Sequence, residues 1–310
     1  MQNHTIASGI WVTMVTPFRD DWSIDYNSAE KLIDWYIRRG VDGIFAVCQS
    51  SEMFYLERDE RRELARFVVR CAAGRVPVAV SGHVSQSADE QLRDVEDAYA
   101  SGADAVVLVS NRIAAPEDTE ETFEDKLNRF LSRIDQKIPL AVYECPIPYK
   151  RLMPPRLLGE CARTERFRFI KDTSCNNEQM RQKIEAVGDT GLKLFNANAA
   201  TFLDSLYAGA AGYSGIMANF HPELYKWVYL HHREKTDLVR QVSAFLGVAS
   251  VIEARAYPDC AKYYLSRFLG NSTRSRCQPA GALTESFRLE VDEMESLAAE
   301  FRKRCGISVE

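Results

Sequence analysis

The sequence predicts an α/β protein, a (β/α)8 TIM barrel with a C-terminal helical extension. Three observations carry that expectation. Between residues 9 and 219 short runs of strand character alternate with longer amphipathic helical stretches. The alternation repeats eight times, and eight strands in unbroken βα order suit a closed barrel, because closure leaves no strand edge unpaired. Beyond Asn219 strand character stops and the chain reads as helices.

In chain order the strands are expected at 10–16, 43–48, 76–82, 105–110, 140–145, 167–171, 192–196 and 212–218. Each is a short run rich in β-branched, aromatic and other apolar residues. Helices are expected between them, among others at 28–39, 59–73, 88–100, 120–134 and 177–187, several preceded by a Ser, Asp or Asn able to cap the first turn. Gly40, Gly74 and Gly102 stand where helices end before the next strand. The stretch 223–302 has the pattern of helices broken at Pro258, Gly270 and Pro279-Ala280-Gly281. The expected division is therefore a catalytic barrel over 1–222 and a helical extension over 223–310.

Composition narrows the partners. With 46% hydrophobic and 27% charged residues, a chain of 310 residues buries a full core. A net charge of -5, with Lys and Arg scattered, provides no basic stripe for nucleic acid. The opening Met1-Gln2-Asn3-His4-Thr5 lacks a signal peptide's pattern, and no apolar run reaches the ~20 residues of a membrane span, so the expected location is cytoplasmic. Eight cysteines without a Cys-x-x-Cys pair read as reduced thiols. His231 and His232 are adjacent, and so diverge on a helix, while His4, His83 and His221 are isolated; no metal is expected.

In a barrel of this kind chemistry gathers at the C-terminal ends of the strands. Strand six ends in Phe169-Ile170-Lys171-Asp172. A strand lysine commonly snorkels to water or pairs with a carboxylate such as Asp172. In a barrel mouth, burial would instead disfavour the ammonium and leave an amine able to attack a ketone. Tyr143, on the neighbouring strand, is either a packed aromatic or a proton carrier facing Lys171. Ser50 and Ser51 follow strand two and are either ordinary loop residues or the hydroxyls and amides that bind a carboxylate. Glu52 is expected to brace that loop rather than to act in catalysis.

Together these segments resemble the dihydrodipicolinate synthase and N-acetylneuraminate lyase family of class I Schiff-base pyruvate aldolases. The similarity runs through Val15-Thr16-Pro17-Phe18, Asp21-Trp22-Ser23-Ile24-Asp25, residues 40–45 and Cys48-Gln49-Ser50-Ser51-Glu52. It continues through Val142-Tyr143-x-x-Pro146, Ile170-Lys171-Asp172-Thr173-Ser174 and residues 212–219. The resemblance implies that Lys171 forms the Schiff base, that Tyr143 shuttles protons by way of Ser50, and that Ser50 and Ser51 bind the substrate's carboxylate. Ser214, in the 212–215 loop, is assigned to substrate binding with them. It also implies a homotetramer, a dimer of tight dimers, working without metal or organic cofactor.

Departures from the family pattern bear on the substrate. Strand four ends in Val109-Ser110-Asn111-Arg112-Ile113, where synthases carry a Pro-Tyr-Tyr run; Ile113 stands in place of the tyrosine that completes the proton relay. The substitute route is ordered water or another hydroxyl such as Tyr149. Ile147 and Pro148 lie where synthases keep an arginine, with Lys150 and Arg151 displaced beside them, and Asn198-Ala199-Ala200 lacks the acidic pair that would hold a sialic acid tail. The leading expectation is a lyase or dehydratase acting on pyruvate or a 2-oxo acid such as a 2-oxo-3-deoxy sugar acid. The alternatives are 4-hydroxy-tetrahydrodipicolinate synthase and a barrel that binds a small acid without turnover.

Overall fold

The computed structural model describes residues 6–270 and 272–308; the opening pentapeptide, with His4, lies outside the described residues. Eight parallel strands close in sequence order into one barrel. They are β1 (Gly9–Thr13), β2 (Gly43–Ala46), β3 (Val78–Val80), β4 (Ala105–Val109), β5 (Leu140–Tyr143), β6 (Phe167–Asp172), β7 (Lys193–Asn196) and β8 (Gly212–Tyr213). Around them run α1 (Tyr26–Arg38), α2 (Arg58–Ala72), α3 (Ala88–Ala100), the single turn α4 (Ser110–Ile113), α5 (Glu120–Leu131), α6 (Pro155–Arg163), α7 (Asn177–Val187), α8 (Phe202–Tyr207) and α9 (Pro222–His231). The chain ends in α10 (Asp237–Ala249), α11 (Asp259–Leu269) and α12 (Glu285–Arg304). Helix α9 packs against β1 and completes the outer ring.

The barrel was expected, and seven of the helices start where side chains satisfy first-turn N–H groups. Asp25, Ser87, Thr119, Asn176, Thr236 and Thr284 each accept from a backbone N–H of the first turn. Glu57 and Glu60 form a reciprocal capping box at α2. Strands β1, β2, β4 and β5 stop short of their expected C-terminal ends, where the runs continue into the buried loops of the mouth, whereas β6 runs one residue further, to Asp172. The largest difference is β8, expected over 212–218: the ladder ends at Tyr213 and a 3-10 turn spans Ile216–Asn219.

Closure depends on two glycines. A Cβ at Gly212, where φ is +155°, would stand 1.8 Å from the carbonyl oxygen of Gly9 on the adjoining strand. The glycine at 212 lets β8 approach β1 this closely, while a Cβ at Gly9 would strike the Asp42 carboxylate at 2.0 Å. Inside, Trp11 packs on Phe169 and Phe195 with ring centroids 5.5 and 5.7 Å apart. A Cβ at Gly43 would strike the Trp11 ring at 2.3 Å, so the glycine makes room for the indole. This aromatic plug fills the barrel floor and leaves the next layer, towards the strands' C-terminal ends, for polar side chains.

Candidate active site

Strands β5 and β6 pair Tyr143 directly with Lys171. Both side chains are buried, and the Lys171 Nζ lies 4.6 Å from the centroid of the Tyr143 ring and 5.8 Å from that of Phe45. Burial lowers the Lys171 pKa to about 8, against an opposing pull from Cys48, Cys145 and Glu253. Burial also pushes the Cys145 thiol up to about 11, so near neutrality it carries no charge to hold the ammonium. Glu253, in the 3-10 turn Ser250–Ala254 of the C-terminal extension, is raised to about 7 by burial, with Lys171 drawing it the other way. Both groups therefore titrate close to the neutral range.

The loop after β2 forms the second wall. Val47 takes φ +49° and Glu52 φ +61°, left-handed conformations that turn residues 48–51 across the mouth. Ser50 Oγ donates to Thr13 Oγ1 at 3.1 Å, and Thr13 Oγ1 faces the Gly215 carbonyl at 3.4 Å. Strand-two loop, β1 and strand-eight loop are thereby joined. Ser51 instead holds the loop against β1, its hydroxyl donating to the Met14 carbonyl at 2.7 Å and accepting from Cys48 N at 3.2 Å. The buried Ser214 hydroxyl has no hydrogen-bond partner among the described residues. Tyr143 donates to Gln49 Oε1 at 3.0 Å rather than to Ser50.

The loop is locked from behind. Glu52, fully buried, accepts from Lys262 Nζ at 2.6 Å and from the backbone N–H groups of Arg276 and Cys277 at 2.6 and 2.9 Å. Its bracing contacts reach into the C-terminal extension. On the outer face of β5 and β6, Lys183 of α7 bridges Glu144 and Asp172, the residues next to Tyr143 and Lys171. Glu144 also accepts from the N–H groups of Met153 and Thr173 at 2.8 and 3.0 Å.

Other groups singled out in the sequence point elsewhere. Ile113, on α4, lines an outer pocket with Gln91, Arg112 and Phe130. The Tyr149 hydroxyl faces the carbonyls of Asn111 and Ala114 at 2.7 and 3.1 Å and is committed to the end of β4. Lys150 Nζ donates to the Thr173 carbonyl at 2.7 Å, and Arg151 lies over the Phe123 ring, facing the carbonyls of Pro116 and Thr119. Glu253, Tyr257 and Thr13 were not anticipated at the mouth, and Gln49 was placed in the strand-two loop without a role; the one signal for Tyr257 was the break at Pro258 beside it. All eight cysteines are free thiols. Among the described residues no group of three or more His, Cys, Asp and Glu side chains is placed to hold a metal, and no helix is long and apolar enough to cross a membrane.

Residues 6–296 match the model of the dihydrodipicolinate synthetase family. The chain is 30% identical over 220 residues to a 4-hydroxy-tetrahydrodipicolinate synthase from Methylococcus capsulatus, covering 71% of this chain and 73% of that one. It is 25% identical over 294 residues to another from Gluconacetobacter diazotrophicus, covering 93% and 96%. Among solved structures, a monomeric dihydrodipicolinate synthase variant superposes with a TM-score of 0.85 at 19% identity, covering 97% of this chain and 99% of that one. YagE, a prophage protein of the dihydrodipicolinic acid synthase family from E. coli, solved in complex with pyruvate, gives 0.82 at 21% identity, covering 95% and 98%.

Proposed function

The chain belongs to the dihydrodipicolinate synthetase family, and from that premise we propose that it is a Schiff-base lyase in which Lys171 holds pyruvate or a larger 2-oxo acid. The observation that carries the reading is a lysine in the barrel mouth whose pKa burial brings to about 8. At pH 7 about a tenth of such side chains are free amine, against well under a thousandth for an ordinary lysine.

The chemistry follows from the amine. Lys171 Nζ adds to C2 of the 2-oxo acid, a proton passes from nitrogen to oxygen, and the carbinolamine loses water with one further proton to leave an iminium. With a 4-hydroxyl present, the C3–C4 bond then breaks, its electrons flow into the iminium, and an aldehyde leaves as its hydroxyl proton departs. The remaining enamine takes a proton at C3, and water hydrolyses the iminium to pyruvate and free Lys171. Tyr143, beside Nζ, is the proton carrier in this reading; Ser50 and Ser214, with the backbone around Ser51, receive the carboxylate. No metal or organic cofactor is invoked.

A second reading, 4-hydroxy-tetrahydrodipicolinate synthase, is favoured by the names of the two relatives. Against it stand Lys150, whose ammonium donates to the Thr173 carbonyl, and Arg151, whose guanidinium lies over Phe123 and faces the Pro116 and Thr119 carbonyls. The family resemblance supports a cytoplasmic homotetramer built from tight dimers, and sedimentation of the intact protein tests the assembly.

The deciding experiment is borohydride reduction in the presence of pyruvate, read by mass spectrometry. One adduct per chain on the peptide containing Lys171 is expected; adducts scattered over surface lysines, with none on Lys171, would refute the mechanism. Turnover of 2-oxo-3-deoxy sugar acids compared with condensation onto aspartate semialdehyde separates the two readings.

A further inference from the structure

The loop after β2 carries four side chains across the mouth, and three of them donate within the protein. Ser50 reaches Thr13, Ser51 the Met14 carbonyl, and Cys48 Sγ the Phe45 carbonyl at 3.5 Å. Gln49 is committed at one end only. Its Oε1 accepts from the Tyr143 hydroxyl at 3.0 Å and from the Cys145 thiol at 3.5 Å. Its backbone carbonyl accepts from Glu52 N at 2.9 Å, which fixes the turn that carries it.

The phenol sets the orientation of the amide. Tyr143 is buried, and burial holds its hydroxyl well above the ordinary pKa of 10, so the oxygen keeps its hydrogen and needs an acceptor. Gln49 Oε1 is that acceptor. With the amide turned round, the buried phenol would lose it. Nε2 therefore faces away from Tyr143 with two hydrogens to give, and it meets no acceptor among the described residues. Gln49 is half-buried and its nitrogen is not sealed in, so the free donor opens on the mouth.

The inference rests on the Schiff-base reading above. In that reading C2 is bonded to Lys171, the carboxylate lies at Ser50 and Ser214, and the C4 hydroxyl gives up its proton to Tyr143. The C4 oxygen then stands within a hydrogen bond of the phenol, and the phenol within a hydrogen bond of Gln49, so under about 6 Å separates substrate oxygen from amide. Ser214 and Glu253 share the mouth, but neither is hydrogen-bonded to the Tyr143 hydroxyl. Ser214 belongs to the strand-eight loop, its N–H donating to the Asn196 carbonyl at 2.8 Å, and Glu253 pulls on the Lys171 ammonium. We infer that Gln49 reads the substrate beyond C3: its Nε2 donates to the oxygen on C4, so that the site prefers 4-hydroxy-2-oxo acids to their 4-deoxy counterparts.

The test compares 4-hydroxy-2-oxopentanoate with 2-oxopentanoate, which differ by that one oxygen. The measurement is the concentration of each acid that gives half-maximal borohydride trapping, with the intact and the pyruvate adducts of the hydroxy acid summed by mass. The unmodified protein should favour the hydroxy acid by roughly three- to tenfold, the worth of one hydrogen bond between neutral groups. Gln49→Met, of similar length without the amide, should bring the ratio to near one, and so should Gln49→Asn, which withdraws the amide by one methylene. Ser214→Ala and Glu253→Gln should keep the parental ratio. A disturbed loop would weaken both acids alike and leave their ratio standing. A parental ratio in both Gln49 variants, a collapse in Ser214→Ala or Glu253→Gln, or no preference in the unmodified protein would overturn the inference while leaving the Schiff base intact. Failure of the unmodified protein to form any adduct overturns both.

Discussion

Two lysines lie buried on opposite faces of the same pair of strands, and their pKa values are driven in opposite directions. Lys171 and Lys183 are 4% and 1% exposed. Burial works against the charge of both. At Lys183 the carboxylates of Glu144 and Asp172 outweigh it and raise the pKa; at Lys171 the opposing pull is weaker and the pKa falls to about 8. Desolvation alone therefore does not make a nucleophile: the number of anions within reach decides whether a buried lysine serves as a clamp or as an amine. The alternation of a strand places the two outcomes one residue apart, Glu144 and Asp172 facing out beside Tyr143 and Lys171 facing in.

The contrast breaks most directly at Lys171. Lys171→Ala should abolish trapping and lower turnover by more than about 10⁴-fold, with the fold retained. Circular dichroism and adduct mass on one preparation check it; a variant that still traps pyruvate would place the amine elsewhere. Removing the clamp should act on stability instead. Lys183→Met leaves two buried carboxyl groups facing one another and should cost about 3–5 kcal/mol in urea unfolding, much of it recovered when Glu144→Gln and Asp172→Asn are added. A clamp lysine should not move the pH profile of trapping; if it does, the two faces are coupled and the contrast is false.

The smallest effect sharpens the role of Glu253. Trapping should rise with pH and level off above about 8, because only the unprotonated Lys171 attacks. The ionised Glu253 supports the ammonium, so Glu253→Gln should lower the Lys171 pKa and carry the rise to lower pH by a fraction of a unit. A rise displaced to higher pH would mean that Glu253 does not support the Lys171 ammonium.

The barrel was legible because its signal is local: apolar runs, caps and glycines repeat along the chain at strand and helix spacing. Lys171 and Tyr143 were legible for a related reason, since a polar residue ending an apolar strand has few places to go but the mouth. Strand eight was overrun because Ser214 to Ala218 keep an apolar look while the backbone turns. A Cβ at Gly215 would meet the Tyr213 hydroxyl at 2.2 Å, a close approach that periodicity does not register. Lys183 was missed because a helix lysine reads as solvated until its carboxylate partners on two strands are known. Glu253 and Tyr257 belong to a helical segment whose amphipathic pattern reports that it packs, not what it packs against.

The Glu52 staple sets an order of events during synthesis. The ring of strands and helices is complete once α9 has left the ribosome, yet the loop carrying Ser50 is locked only when Lys262, Arg276 and Cys277 have followed. At translation rates of about 5–20 residues per second, that interval lasts seconds. A nascent chain in that interval has its barrel and Lys171 but not the lock on the loop that carries Ser50, which closes only once the chain through Cys277 has emerged.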